Sequence, residues 1–381
     1  MKQGWEYKKL GEIGNIVTGS TPSTKDESNY SPREYCFVKP SDLPSQRIAL
    51  IEETEYYVSR KGLSQSRVLP TGSVLVSCIG SIGKIGILAK EACSNQQINA
   101  IIPKNDIDSK FIAYSIYAYR FLLESIANAP VVPIINKTDF SKIQIPIPPK
   151  STQLSIVSEL DKINELIRLK KEQLKDYDNL AQSIFYEMFG DPVENDKGWE
   201  VKKLGEVGQI VTGTTPSTNE ESNWNGNINW VTPAELGTQL YYGETIRRIS
   251  TNAAKRLTLM PVGTVLLSTR APIGKLAITK VPMCCNQGFK NIICCQDLNN
   301  IFLYFYLLLT MDKIKAMGRG ATFKEVSKQA ISHYLVPLPP LPLQQLFAQR
   351  IEKIEHQKSE VTKAITDLET LLASRMQHWF E

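Results

Sequence analysis

The stretch Gly4–Tyr30, GWEYKKLGEIGNIVTGSTPSTKDESNY, returns at Gly198–Trp224 as GWEVKKLGEVGQIVTGTTPSTNEESNW, with 20 of 27 positions identical. A chain that opens twice in the same way is constrained to fold as two related bodies. The correspondence continues at a slightly shorter offset. FVKPSDL (Phe37–Leu43) matches WVTPAEL (Trp230–Leu236), and PTGSVLVS (Pro70–Ser77) matches PVGTVLLS (Pro261–Ser268). IGKIGI (Ile82–Ile87) matches IGKLAI (Ile273–Ile278), Asn95-Gln96 falls on Asn286-Gln287, and IPIPPK (Ile145–Lys150) falls on VPLPPL (Val336–Leu341). Solenoid and propeller repeats run about 20–50 residues, so each copy here is a domain rather than one turn of an array. At 381 residues there is room for two such domains, each with its own core.

Inside a copy, short apolar runs such as Ser73–Ser77, Lys84–Leu88 and Gln97–Ile102 sit between Gly, Pro and Asn and read as strands. Ile112–Leu123 and Ile301–Lys315 read as helices by length. Each copy is therefore expected to be a mixed α/β (α+β) domain of about 150 residues.

After each Pro-rich stretch the pattern changes. Ile156, Leu160, Ile163, Ile167 and Leu174 lie at steps of four, three, four and seven, and Tyr177, Ala181 and Ile184 continue the series. Phe347, Ile351, Ile354, Val361, Ile365, Leu368 and Leu372 repeat it, with Lys170 and Lys358 as the breaks. A mean spacing near 3.5 residues is a coiled-coil seam. Roughly 38 residues from Ser151 would span about 57 Å, ending at the Gly190 stop. The order domain, helix, domain, helix, with an internal pseudo-two-fold, brings the helices together antiparallel. The division expected is a domain over 1–150, a helix over 151–190, a domain over 191–341 and a helix over 342–381.

No apolar run approaches the ~18 residues of a membrane span; Ile301–Leu309 is the strongest. With no apolar leader in MKQGWEYKKL, the expected compartment is the cytoplasm. Seven cysteines, an odd number, argue against a disulfide framework. A net charge of +5 is compatible with a polyanionic partner.

Catalytic motifs are sparse. Gly83-Lys84 and Gly274-Lys275 lack the upstream Gly and following hydroxyl of a phosphate-binding loop. There is no Gly-rich fingerprint with an Asn-Pro-Pro-aromatic tetrad. Asp191-Pro192 has the wrong order for a PD…ExK nuclease. Three histidines (His333, His356, His378) form no metal pair. Cys284-Cys285 and Cys294-Cys295 lack zinc-knuckle spacing, and adjacent strand residues point to opposite faces, so these read as buried thiols. No cofactor or metal is expected.

Polar loops common to both copies remain. VTGSTPST offers Thr18, Ser20, Thr21 and Ser23, with Lys25 beyond it, and VTGTTPST offers Thr212, Thr214, Thr215 and Ser217. Hydroxyls and backbone N–H groups of this kind contact phosphates and base edges. Lys39, Ser41 and Thr232 lie in the next shared segment, and Lys84 and Lys275 lie on Gly-flanked turns. Arg270, Arg319 and Lys324 add cations in the second copy only. Segments Ser45–Leu69 and Gly237–Leu259 are unrelated, as are the late loops Asn128–Phe140 and Gly318–Lys328. One frame with two sets of loops suits recognition of two different half-sites.

The order of these motifs, repeated over the whole chain, resembles the specificity (S) subunits of type I restriction–modification systems. It rests on GW-E-x-KKLGE…TG-[ST]-TPS, [FW]-V-x-P-x-[DE]-L, PxG-[ST]-VL-x-S…IGK…NQ, and PxPPxxxQ before a long helix. The resemblance implies two target recognition domains joined by an antiparallel helix pair. Each domain would read half of a bipartite duplex DNA target. The helices would set the spacing and dock two modification (methyltransferase) subunits, which restriction (translocase/nuclease) subunits join. The S subunit of this family is not known for catalysis. Two-fold readers address half-sites about 34–36 Å apart, one duplex turn. A coiled-coil scaffold without DNA recognition and a standalone enzyme are the alternatives.

Overall fold

The computed structural model describes residues 4–45, 47–127, 133–318 and 325–380. The chain divides into two compact units, residues 1–169 with 365–381, and residues 170–364. Both have one topology. In the first, a five-stranded sheet runs Gly14–Thr18, Ile98–Pro103, Val74–Ser77, Ile85–Leu88, Ile48–Ile51, antiparallel except for the last, parallel pair. In the second, Gly208–Thr212, Lys290–Cys294, Val265–Leu267, Leu276–Thr279 and Tyr241–Tyr242 take the same places. Each unit also has a three-stranded sheet: Tyr57–Val58, Tyr35–Val38, Ala92–Ser94 in one and Arg247–Ile249, Trp224–Val231, Met283–Cys285 in the other.

Strand alternation separates the layers. Val74 and Val76 join the core beneath the helices, while Leu75 between them faces the small sheet. Val265 and Leu267 against Leu266 repeat the arrangement. Cys284 and Cys285 likewise enter different clusters, Cys284 with Trp230 and Cys285 with Phe289. Five cysteines are buried, Cys294 is half-buried and Cys295 exposed. Burial pushes the Cys78 and Cys285 thiols up to about 12.

The expected strands are present. Both expected helices are interrupted: Ser109–Ala118 gives way to Arg120–Ile126, and Asn300–Leu309 to Met311–Ala316. Neither junction carries the Gly or Pro that would mark it in sequence. At the second, the Thr310 hydroxyl donates to the Tyr306 carbonyl at 2.7 Å, a local bond that competes with the helical ladder.

The repeated opening meets the repeated Pro-rich stretch. Glu6–Lys9 pairs antiparallel with Gln144–Ile147, and Val201–Lys203 with Leu335–Pro337. From there the long helices depart, Lys150–Phe189 and Leu341–Phe380, 40 residues each. Each begins with a buried glutamine. Gln153 accepts from the Asp108 N–H at 2.9 Å and donates to the Pro148 carbonyl at 3.0 Å. Gln344 accepts from the Asn299 N–H at 2.9 Å and donates to the carbonyls of Pro339 (2.7 Å) and Asp297 (3.1 Å). These bonds explain the PxPPxxxQ spacing.

Each unit contains the start of one long helix beside the end of the other. In the second unit they run antiparallel: Lys358 meets Asp178 at 2.8 Å, and Phe347 packs on Phe185 and Phe189 at 5.6 and 5.3 Å between ring centroids. In the first, Glu159 accepts from the Arg375 guanidinium and from the Trp379 indole, and Phe380 packs on Phe111 at 5.8 Å. Of the seam residues, Ile156, Leu160, Ile163, Ile167, Ile351, Ile354, Val361 and Ile365 are buried. Leu174 and Leu368 are half-buried. Lys358 breaks the seam yet keeps its charge among Asp178 and Glu355. Missed by the heptad spacing is the aromatic end of the first helix: Phe185 stacks on Phe302 at 5.6 Å, and Phe189 meets the same ring edge-on at 4.8 Å.

Candidate nucleic-acid interface

The hydroxyl-rich turn and the Asn-Gln pair, noticed separately in sequence, pack on each other. The Ser20 N–H donates to the Ser94 carbonyl at 2.8 Å, and the Thr214 N–H to the Cys285 carbonyl at 2.9 Å. The Thr21 hydroxyl donates to Gln96 Oε1 at 2.7 Å, and the Thr215 hydroxyl to Gln287 Oε1 at 2.6 Å. Gly19 and Gly213 permit the crossing. A methyl on either would collide with the carbonyl oxygens of Ser94 and Asn95, or of Cys285 and Asn286. Thr18 gives its hydroxyl to Asn99 at 2.7 Å, and the Ser20 hydroxyl accepts from the Arg67 N–H at 3.2 Å. Thr212 is half-buried at the strand end; Ser23, Lys25, Thr214 and Ser217 are exposed.

In the next shared segment a carboxylate clamps its own turn. Asp42 accepts from the N–H of Lys39 at 2.7 Å and of Glu55 at 3.1 Å. Glu235 accepts from the N–H and hydroxyl of Thr232 at 2.8 and 2.9 Å, the Tyr242 hydroxyl at 3.2 Å and the Ile246 N–H at 2.8 Å. Ser41 is exposed beside the first clamp. Of the two turn lysines, Lys84 donates its ammonium to the Pro40 carbonyl at 3.1 Å, bracing this segment. The Lys275 side chain is half-buried, and its N–H is held by the Ser268 hydroxyl at 2.8 Å.

Arg270 belongs to a network special to the second domain. Glu325 joins Arg270 at 2.8 Å and the buried Lys290 at 3.1 Å. Burial acts to raise the Glu325 carboxyl, but the two cations prevail and hold it below its usual range. At the same bridge the first domain pairs Ile79 with Ile134, where the second pairs Arg270 with Glu325. One late-loop anchor is thus apolar and the other ionic. Arg319 and Lys324 lie outside the described residues. Among the described residues no cluster of His, Cys, Asp and Glu could hold a metal ion, and no helix is long and apolar enough to cross a membrane.

One functional candidate escaped the sequence reading. Arg247, exposed on the edge of the small sheet, lies over the Trp224 ring at 4.1 Å and near Trp230 at 5.4 Å. Both indoles hold the hydroxyl turn: Trp224 Nε1 donates to the Ser217 carbonyl and Trp230 Nε1 to the Thr214 carbonyl, each at 3.2 Å. At the position matching Arg247 the first domain has Tyr56, and the Lys39 ammonium lies 3.1 Å from its ring centroid. Such contacts contribute about 0.5–1 kcal/mol at exposed sites. No carboxylate pairs with Arg247 or Lys39 among the described residues. Tyr30, matching Trp224, donates instead to the Pro22 carbonyl at 2.7 Å. The sequence signal was the change of Tyr30 to Trp and Phe37 to Trp230, both beside an unmatched segment.

The family described as type I restriction modification DNA specificity domain matches twice, over residues 2–176 and 196–370. The chain is 24% identical over 380 residues to the type I restriction enzyme MjaIX specificity subunit of Methanocaldococcus jannaschii, covering 92% of this chain and 86% of that one. It is 26% identical over 246 residues to the EcoR124I/EcoR124II specificity subunit of Escherichia coli, covering 60% and 59%. Among solved structures, it superposes with a TM-score of 0.63, at 19% identity, on a chain from a study of type I R-M complex assembly and conformational transition, covering 99% and 97%. A second, the type I S subunit from M. genitalium, gives a TM-score of 0.59 at 13% identity, covering 99% and 96%. With two family domains on one duplicated frame, the chain belongs to the type I restriction–modification DNA specificity family.

Proposed function

We propose that this chain is the DNA-reading subunit of a type I restriction–modification complex. Residues 1–150 and 191–341 each read one half of a bipartite duplex target. The helices over 151–190 and 342–381 set the spacing between half-sites and dock two methyltransferase subunits, which restriction subunits join. The chain itself positions the duplex and leaves chemistry to its partners, since methylating an adenine requires the base to be turned out of the stack into a partner's pocket. The exposed hydroxyls and cation of the turns, Ser23, Lys25, Ser41, Thr214 and Ser217, serve as backbone contacts together with the half-buried Lys275. Thr18, Ser20, Thr21, Thr212, Thr215, Thr232 and Lys84 hold those turns in shape. Arg270, with Arg319 and Lys324 of the late loop, adds cationic contacts in the second domain.

The observation that carries this reading is the combination of an identical frame with unlike side chains at the same frame positions. Asp42 and Glu235 clamp matching turns, yet beside them stand Tyr56 and Lys39 in one domain and Arg247 and Thr232 in the other. Sequencing the methylated bases of cells that express the chain with its methyltransferase tests the reading. A bipartite motif with a fixed spacer is expected; methylation without one would refute it.

A further inference from the structure

We propose that Arg247 and Lys39 are the principal base-reading side chains of the second and first domains. The inference rests on the DNA-reading function above and goes beyond it by assigning specificity to two residues. Three observations converge on them. Each is a cation with no carboxylate partner among the described residues, held instead on an aromatic ring: Arg247 over Trp224, Lys39 over Tyr56. An ammonium or guanidinium on a ring face keeps N–H donors available for a further acceptor. Each is also fixed by the shared clamp. Glu235 holds the N–H of Ile246, the residue before Arg247; Asp42 holds the N–H of Lys39 itself and that of Glu55, the residue before Tyr56. In the second domain the rings beneath Arg247 are bonded to the hydroxyl turn through Ser217 and Thr214, so cation and turn form one surface.

The third observation separates base contact from phosphate contact. Phosphates are chemically the same in both half-sites, and a duplicated frame can meet them with duplicated residues. Ser23 and Ser217 are such a pair. A base-reading position must differ between domains that read different words. At the clamp the frame stays constant while the chemistry changes place: the cation stands on the small-sheet edge in the second domain and on the clamped turn in the first. The planar fork of Arg247 fits guanine O6 and N7 in the major groove, and the Lys39 ammonium fits the same acceptors as a single donor.

The test uses the full chain co-expressed with its methyltransferase, with methylated bases mapped genome-wide. Arg247→Lys keeps the charge and removes the fork. It is expected to make one position of one half-site degenerate, with discrimination there falling about ten- to hundred-fold and the other half-site unchanged. Lys39→Ala is expected to relax one position in the opposite half-site. Melting temperatures of the purified full-length variants close to that of the parent exclude misfolding, and Arg247→Gln supplies a second variant if Arg247→Lys fails this check. If the motif stays the same at every position, whether methylation is full or uniformly reduced, these residues are structural or phosphate contacts and the inference is overturned. A parent chain that yields no bipartite motif would refute the proposed function itself, and this inference with it.

Discussion

Replacing Gln344 with Leu removes three hydrogen bonds at a side chain that is 0% exposed. A buried intramolecular hydrogen bond contributes about 1 kcal/mol net, and an orphaned buried N–H costs about 1–3 kcal/mol. The Asn299 N–H would be left unpaired, while the carbonyls of Pro339 and Asp297 each retain a lone pair for other partners. The expected loss is about 3 kcal/mol, with the apolar replacement offsetting little in a site lined by backbone polar groups. Gln153, 1% exposed, makes two bonds, so Gln153→Leu should cost about 2 kcal/mol. A chain of two units is not expected to unfold in one step. Hydrogen exchange, read separately for Asn300–Leu309 and for Ser109–Ala118, therefore suits the comparison. Gln344→Leu should accelerate exchange in the first helix and Gln153→Leu in the second. A cost under about 0.5 kcal/mol for Gln344→Leu, or greater damage from Gln153→Leu, would refute this role for the buried glutamines.

Other perturbations probe the helix ends, the thiols and the hydroxyl turn. The Arg375 guanidinium holds the Glu159 carboxyl below its ordinary 4.5, against burial and with help from Trp379. A depressed carboxyl stabilises above its unfolded value and loses that contribution as pH falls through the folded one. Protection against exchange near Phe380, measured relative to the intrinsic rate at each pH, should therefore fall as pH drops below about 4.5, and Glu159→Gln should abolish that dependence. Native alkylation at pH 8 should label Cys295 first, with Cys284 and Cys285 reacting only on unfolding, because burial pushes their thiols up to about 11 and 12. Mass spectrometry of the labelled peptides decides this. Gly213→Ala forces the turn off Asn286 and should degrade one half-site of the methylation motif, while Gly19→Ala degrades the other. Equal damage to both half-sites from either variant would contradict the assignment of one turn to each domain.

The repeat made the two-domain plan legible, and heptad spacing revealed the long helices, because both are patterns that recur along the chain itself and need no knowledge of tertiary contacts. Sheet order was not legible. The parallel edge strands Ile48–Ile51 and Tyr241–Tyr242 lie inside the unmatched segments, so no correspondence between copies pointed to them. The helix breaks at Tyr119 and Thr310 carry no breaker residue. For the site, shared loops were visible as strings of hydroxyls, but their internal bonding was not: Thr21 and Thr215 are tied to Gln96 and Gln287, 75 and 72 residues away. Arg247 was overlooked because its neighbours arise from cross-strand register, with Trp230 directly opposite it. A lone arginine in an unmatched segment gives no such sign.

The clamp of Asp42 and Glu235 bridges chain segments of unequal length. Asp42 reaches a residue thirteen positions on, Glu235 one eleven positions on, and both deliver the chain to the same strand. Residues between the two anchor points but outside the edge strand that each segment carries, Ile48–Ile51 or Tyr241–Tyr242, can therefore be inserted or deleted without moving that strand. The entropic penalty for a longer excursion is slight, about 0.6 kcal/mol per doubling. The carboxylate acts as a splice point: new segments can be tried in this lineage or at the bench, one domain at a time, with the surrounding sheet as a fixed socket.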